Sequence, residues 1–281
     1  MEVNEYARAR PSAAVRPYLA GYSGYRQRGL APALHRGLPS PYLTLILTID
    51  EPLVVAAHPD RRQTPGRYDA LIGGLHLTHA VIEHDGAQSG VQLAVNPLGC
   101  RALFGRPAAE LAGVDTDLAD VLPAPFVDRL RERLRALTTW PQRFAALDEA
   151  FSTLVRDGGD VHPDVAYAYH RVVGSGGRVT VGDLAAEVGW SARHLGNRFR
   201  AEIGLRPKEA ARVARFDRVR WQLYAGVRLS DAAARTGYFD QAHLNREFRV
   251  LAGVAPSTWL ADEIGFVQAA RAAGGQDGWH D

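Results

Sequence analysis

The stretch Ser191-Ala192-Arg193-His194-Leu195-Gly196-Asn197-Arg198-Phe199-Arg200-Ala201-Glu202-Ile203-Gly204-Leu205-Arg206-Pro207 is answered, 49 residues later, by Asp240-Gln241-Ala242-His243-Leu244-Asn245-Arg246-Glu247-Phe248-Arg249-Val250-Leu251-Ala252-Gly253-Val254-Ala255-Pro256. Leu195, Phe199, Gly204 and Pro207 pair with Leu244, Phe248, Gly253 and Pro256, His194 and Arg200 with His243 and Arg249, and Ser191 with Asp240. So many matches at one offset mark an internal repeat of one supersecondary unit.

Each copy predicts the second helix of a helix-turn-helix. Ser191 and Asp240 are good N-caps, because their side-chain oxygens can accept from the free N–H groups of the first turn. Leucine and phenylalanine four residues apart put one apolar stripe on one face. Gly204 and Gly253 supply the left-handed C-cap, and a proline three residues on cannot continue the helix. Upstream of each cap a short Ala-rich helix is expected. Thr180-Val181-Gly182-Asp183 is a capping box before Leu184-Ala185-Ala186-Glu187-Val188-Gly189, and Ser230 caps Asp231-Ala232-Ala233-Ala234-Arg235-Thr236-Gly237. Ala185 and Ala233 each precede their glycine by four residues, where a small side chain lets two helices cross closely. The second turn holds one residue more than the first.

Residues 165–262 thereby resemble the C-terminal DNA-binding domain of AraC/XylS-type transcription regulators. The resemblance is carried by Leu184–Gly189, Ser191–Gly204, Arg215-Phe216, Gly237–Arg249 and Gly253–Trp259. It implies an all-α domain of two helix-turn-helix units joined by a linker helix, Pro207–Ala225, that binds double-stranded DNA. The segment from Gly90 to Leu122 resembles, with less specific motifs, the N-terminal domain of many actinobacterial members of that family.

Helix geometry says which residues would meet DNA. With Leu195 and Phe199 inward, Ala192, Arg193, Gly196, Asn197 and Arg200 face out, as do Gln241, Ala242, Asn245, Arg246 and Arg249. Arginine grips guanine bidentately, Asn or Gln grips adenine, and the N-terminal end of a recognition helix reaches deepest. Arg193 and Asn197 are therefore expected to read bases in one major groove, Gln241 and Arg246 in the next. Ser191, Arg200, Asn245 and Arg249 are expected on phosphates, which fix register. The matched His194 and His243 are expected to pack. Gly196 departs from the family pattern, where a reader side chain is usual. A 19-residue linker helix spans ~28 Å at ~1.5 Å per residue, near the ~34 Å between successive grooves on one DNA face.

The rest of the chain reads as a separate half. Tyr42–Ile49, Leu53–Ala57, Leu75–Glu83 and Gly90–Val95 predict strands, with turns at Gly73-Gly74, Asp85-Gly86 and Asn96-Pro97. Short strands so spaced predict a small antiparallel barrel or sandwich, cupin-like, followed by a short helix over Gly105–Leu111. Helices are expected over 125–138 and 141–157. Their stripes, Phe126, Leu130, Leu134, Leu137 and Phe144, Leu147, Phe151, Leu154, are those of core helices, and family members often dimerise through such a pair. The expected organisation is thus α+β: residues 1–158 for sensing or dimerisation, 159–262 for DNA binding, and a frayed tail over 263–281.

Composition bounds the function. The chain has 281 residues, 46% hydrophobic and 23% charged, which suits soluble domains. No run of 18 apolar residues and no leader-like start are present, and the single Cys100 suits a reducing compartment, so a cytoplasmic protein is expected. Residues 160–262 carry 15 Lys and Arg against 11 Asp and Glu, a modest surplus that suits a phosphate partner. His76, His79, Glu83 and His84 suggest a metal cluster, but His76 and His79 would point to opposite sides of a strand, so no metal is expected. Cys100 beside Arg101 reads either as a redox thiol or as a buried bystander. Nucleophile elbow, phosphate loop and dinucleotide fingerprint are all missing, so neither catalysis nor a cofactor is expected. Three functions remain in play. The first is a homodimeric regulator sensing a small molecule, in contact with RNA polymerase; the second is a regulator controlled by a protein partner without ligand. The third is an enzyme fused to a DNA-binding module.

Overall fold

The computed structural model describes residues 3–156 and 161–263. The domain boundary near 158 and the tail from 264 therefore lie outside the described residues. Among the described residues the N-terminal half contains ten strands, β1 (Val3–Ala9), β2 (Leu19–Arg28), β3 (Ala33–Gly37), β4 (Leu43–Thr48), β5 (Leu53–Ala57), β6 (Gly66–Tyr68), β7 (Ala70–Gly73), β8 (Ala80–His84), β9 (Gln88–Val95) and β10 (Asp115–Asp117). They form two antiparallel sheets, ordered β1-β2-β9-β4-β7-β10 and β3-β8-β5-β6.

Alternation along the strands assigns the faces. Leu43, Leu45 and Leu47 of β4 and Val91, Leu93 and Val95 of β9 are buried together in the main core. The intervening Thr44, Ile46, Gln92 and Ala94 turn the other way, toward Leu53, Val55 and Ile82 of the smaller sheet, across a cavity. Helices close the first face: α1 (Cys100–Phe104), α2 (Ala124–Ala136) and α3 (Trp140–Ser152). Val127, Leu130 and Leu134 of α2 and Phe144, Leu147 and Phe151 of α3 are buried there. The stripes read from the sequence are thus consumed within the chain, and a dimer through this pair would have to use the helices' other faces. Thr139 and Gln142 form a capping box at the start of α3, with Pro141 in its first turn.

The described residues of the C-terminal half form helices only: α4 (Pro163–Gly174), α5 (Val181–Glu187), α6 (Ala192–Ile203), α7 (Pro207–Tyr224), α8 (Leu229–Thr236), α9 (Gln241–Ala252) and α10 (Pro256–Asp262). Its two units do not share one core. Leu184, Leu195, Phe199, Ile203 and the first half of α7 through Ala214 are packed continuously with the sheet-and-helix core of the N-terminal half. Phe216, Val219 and Leu223 of the same helix belong to a second core with Leu244, Phe248, Leu251 and Trp259, joined by Leu38. Helix α7 passes from one core into the other.

Several sequence expectations are corrected. β8 begins at Ala80 rather than Leu75; Gly74 N–H donates to Val114 O and Gly113 N–H to Leu75 O, which ties the segment to a neighbouring loop. The span Gly105–Leu111, expected as a helix, holds only a 3-10 turn at Ala108–Leu111; the α-helix there, α1, lies before it and is ended by left-handed Gly105. Helix α8 starts at Leu229 with Arg228 as N-cap, so Ser230 lies in its first turn. Leu229 packs against the second core, and holding it there starts the helix early. Glu263, read as the beginning of the tail, is buried.

Candidate nucleic-acid interface and the adjoining cavity

The two recognition helices are built alike. Ser191 Oγ accepts from His194 N–H at 3.2 Å, and Asp240 Oδ1 from His243 N–H at 2.6 Å. Leu195 and Phe199 are buried under α6, Leu244 and Phe248 under α9. The His194 ring stands edge-on to Trp190 at 4.6 Å and the His243 ring edge-on to Tyr238 at 5.2 Å, so each histidine braces its helix against the preceding turn.

On the opposite faces Arg193, Asn197 and Arg200 are exposed on α6, and Gln241, Arg246 and Arg249 on α9; Asn245 is half-buried. Among the described residues none of these arginines has a carboxylate partner, whereas Arg171 pairs with Glu187 and Arg212 with Glu247. Ser191 is exposed beside them, and its hydroxyl, which accepts at the cap, can still donate. Gly196 leaves open space above its α-carbon. The chemistry available is two helical faces of free guanidinium and amide donors, suited to base edges and phosphates.

The other end of each recognition helix is held by the N-terminal half. Arg101 donates through Nε and Nη2 to both carboxylate oxygens of Glu202 at 2.8 and 2.9 Å. The C-caps Gly204 (φ 92°) and Gly253 (φ 76°) are left-handed and are also docking points. A Cβ at Gly204 would meet Ala112 Cβ at 2.5 Å, and one at Gly253 would meet the His79 ring at 2.2 Å. Both reasons require glycine. Arg101 was missed as a contact residue, since nothing in the sequence links it to Glu202. Its guanidinium is spent on that pair, and Cys100 is fully enclosed, with burial pushing its thiol up, which favours the buried bystander over the redox thiol. His76 and His79 precede β8; His76 Nδ1 bonds Thr78 O, and His84 lies beside His35 instead.

Between the two sheets lies a cavity of about 180 Å³. Tyr25, Thr44, Ile46, Leu53, Val55 and Ile82 line it from the sheets, and Arg220, Tyr224 and Glu263 line it from the C-terminal half. The two halves are joined here by Arg36 to Asp262 at 2.8 Å, by Arg36 N–H to Glu263 Oε1 at 3.3 Å, and by the Arg8 guanidinium 4.3 Å from the Trp221 ring. Arg220 donates to Asp217, while its Nε is buried with no hydrogen-bond partner among the described residues. His35 is neutral, pushed down to about 4 by burial and then by His84.

Burial pushes the Glu263 carboxyl up from 4.5 to about 7, against the pull of Arg36. Between those values the folded chain keeps a proton that the unfolded chain releases. The stability carried by this carboxyl is therefore full below pH 4.5 and is lost as pH rises to about 7. Glu263→Gln is expected to flatten the pH dependence of Tm between pH 5 and 7.5 and to raise Tm at the upper end, with at most about 3 kcal/mol at stake. Thermal melts across that range check it, and an unchanged slope in the variant would assign the pH dependence to other groups.

Residues 184–262 match the family described as a helix-turn-helix domain. An uncharacterized HTH-type transcriptional regulator of Bacillus subtilis, YbfI, is 38% identical over 66 residues, which are 24% of each chain. The match thus spans about a quarter of that curated relative. Among solved structures, an apo ToxT variant from Vibrio cholerae aligns with a TM-score of 0.54 and 11% identity, covering 85% of this chain and 96% of that one. Unsaturated fatty acid bound wild-type ToxT from the same species aligns at 0.51 and 12%, covering 85% and 94%. At such identities the likeness is one of fold. Both halves take part in it. Among the described residues no helix is long and apolar enough to cross a membrane.

Proposed function

With an AraC-type helix-turn-helix domain at its C-terminal end, we propose that this chain is a sequence-specific DNA-binding transcription regulator whose N-terminal half senses a small molecule. The observation that carries the reading is the pair of matched recognition helices, each with unpaired arginines on its exposed face. Arg193 and Asn197 read one major groove and Gln241 and Arg246 the next, with Ser191, Arg200, Asn245 and Arg249 on phosphates. Helix α7, 18 residues long, sets the reach between them at ~27 Å. We divide the chain near residue 158, and a homodimer would read two copies of the site.

The effector site of this reading is the cavity. Its walls mix apolar Ile46, Leu53, Val55 and Ile82 with polar Ser23, Thr44, Gln88 and Gln92, and Arg36, Arg220 and Glu263 line it too, so it suits an amphipathic molecule with an acidic or hydroxylic end. The fatty acid held by ToxT is of that chemical type. Because residues of both halves line the cavity, such a molecule would touch the DNA-binding part directly.

The experiment is selection of random duplexes by the full chain at moderate salt, with thermal melting against a panel of small carboxylic acids. Recovery of a defined bipartite site supports the regulator, and no recovery with or without a stabilising acid overturns it. A defined site without any Tm increase leaves the DNA reading and points to control by a protein partner, such as RNA polymerase.

A further inference from the structure

The repeat is imperfect by one residue, and the structure locates that residue. Gly189 and Gly237 both adopt positive φ (69° and 78°), and Trp190 and Tyr238 follow them, each edge-on to the histidine of its recognition helix. The N-cap after Trp190 is Ser191, whereas between Tyr238 and its N-cap Asp240 stands Phe239. Phe239 is the additional residue of the second turn.

Its side chain is 93% exposed, far beyond Val250 and Leu34 at 59% and 58% among the described residues. An aromatic ring held in water gives up the gain of burying it, so a ring so placed is available to a partner. The partner is indicated by position. Phe239 precedes the N-cap of α9, and the N-terminal end of a recognition helix is the part that enters the major groove. Gln241, the first residue of that helix, is exposed beside it. In the major groove the apolar feature a ring can contact is the thymine 5-methyl group.

We propose that Phe239 is a further specificity-determining residue, packing on a thymine 5-methyl group at the edge of the second unit's subsite. The first unit, without a counterpart, makes no such contact, so the two halves of the site differ in kind. This rests on the DNA-binding reading above.

The test uses the full chain and the duplex it selects. Each thymine is replaced in turn by deoxyuridine, which removes only the methyl group. One thymine beside the second unit's bases is expected to cost about fourfold in affinity when demethylated, the worth of one buried methyl. Phe239→Ala, being at an exposed site, is expected to melt as the native chain does and to bind both duplexes with the weaker affinity; Phe239→Leu keeps part of the preference. Equal binding of thymine and deoxyuridine by the native chain overturns the proposal and leaves the DNA reading intact. So does a Phe239→Ala variant that keeps the native preference, or one that binds DNA normally but fails in transcription, which would give the ring to a protein partner. Selection of no site at all overturns both readings together.

Discussion

Arg193→Ala and Arg246→Ala are each expected to weaken binding to the selected duplex by about 1–3 kcal/mol, roughly 5- to 150-fold, with base preference relaxed in different halves of the site. The separation of the losses matters more than their size. Arg193, in the first turn of α6, and Arg246, midway along α9, are each exposed and unpaired, on a face whose back is buried through Leu195 and Phe199 or through Leu244 and Phe248. Among the described residues neither guanidinium makes a hydrogen bond or an ion pair, so the variants should melt as the native chain does. Arg200→Ala or Arg249→Ala should instead weaken all sequences alike and lower the salt dependence by about one counterion. If Arg193→Ala and Arg246→Ala relaxed the same base pairs, reading by two units in two grooves would be wrong.

Trp259→Ala is expected to destabilise the second unit by about 3–5 kcal/mol and to leave the first standing. The Trp259 ring is fully buried, against Phe248 at 5.5 Å and Tyr224 at 5.0 Å. That core is separate from the one holding Phe199. Thermal unfolding of the variant should become two transitions, with amides of α8, α9 and α10 losing exchange protection in the first. Phe199→Ala is of similar size, but its ring lies in the core shared with the sheets, so its loss should reach the N-terminal half as well. A single transition in Trp259→Ala, with protection lost throughout at once, would show that the two cores melt as one.

The helix-turn-helix units were legible because local chemistry and long-range packing agree there: caps, stripe and left-handed glycines all sit within one helix length of each other. β4, β5 and β9 were legible for the same reason, as dense apolar runs between turn signals. β2 was not. It is covered on one face by the helices and on the other by the cavity, so its burial does not alternate, and it holds Gly24 directly beneath the Trp140 ring. β1, with Asn4, Glu5 and Arg8 in seven residues, carries no strand signal beyond its pairing with β2. The exposure of Arg193, Asn197, Gln241 and Arg246 followed from helical period alone. The cavity was hidden, because Thr44 and Gln92 alternating with leucines look like a solvated sheet face. Arg101–Glu202 and Arg36–Asp262 join residues far apart in the chain, and no period or spacing announces such pairs.

The passage of α7 from one core into the other also restricts how such proteins can be recombined. A chimera that takes its sheets from one parent and everything after residue 161 from another cuts no secondary structure, yet it divides the shared core. The foreign Leu195, Phe199 and Ile203 would have to fit walls that did not evolve with them. A junction inside α7, between Ala214 and Phe216, breaks a helix in the sequence but keeps each core of single parentage. New pairings of an N-terminal half with a DNA specificity are therefore more readily made by exchanging the second unit than by exchanging the whole helical half.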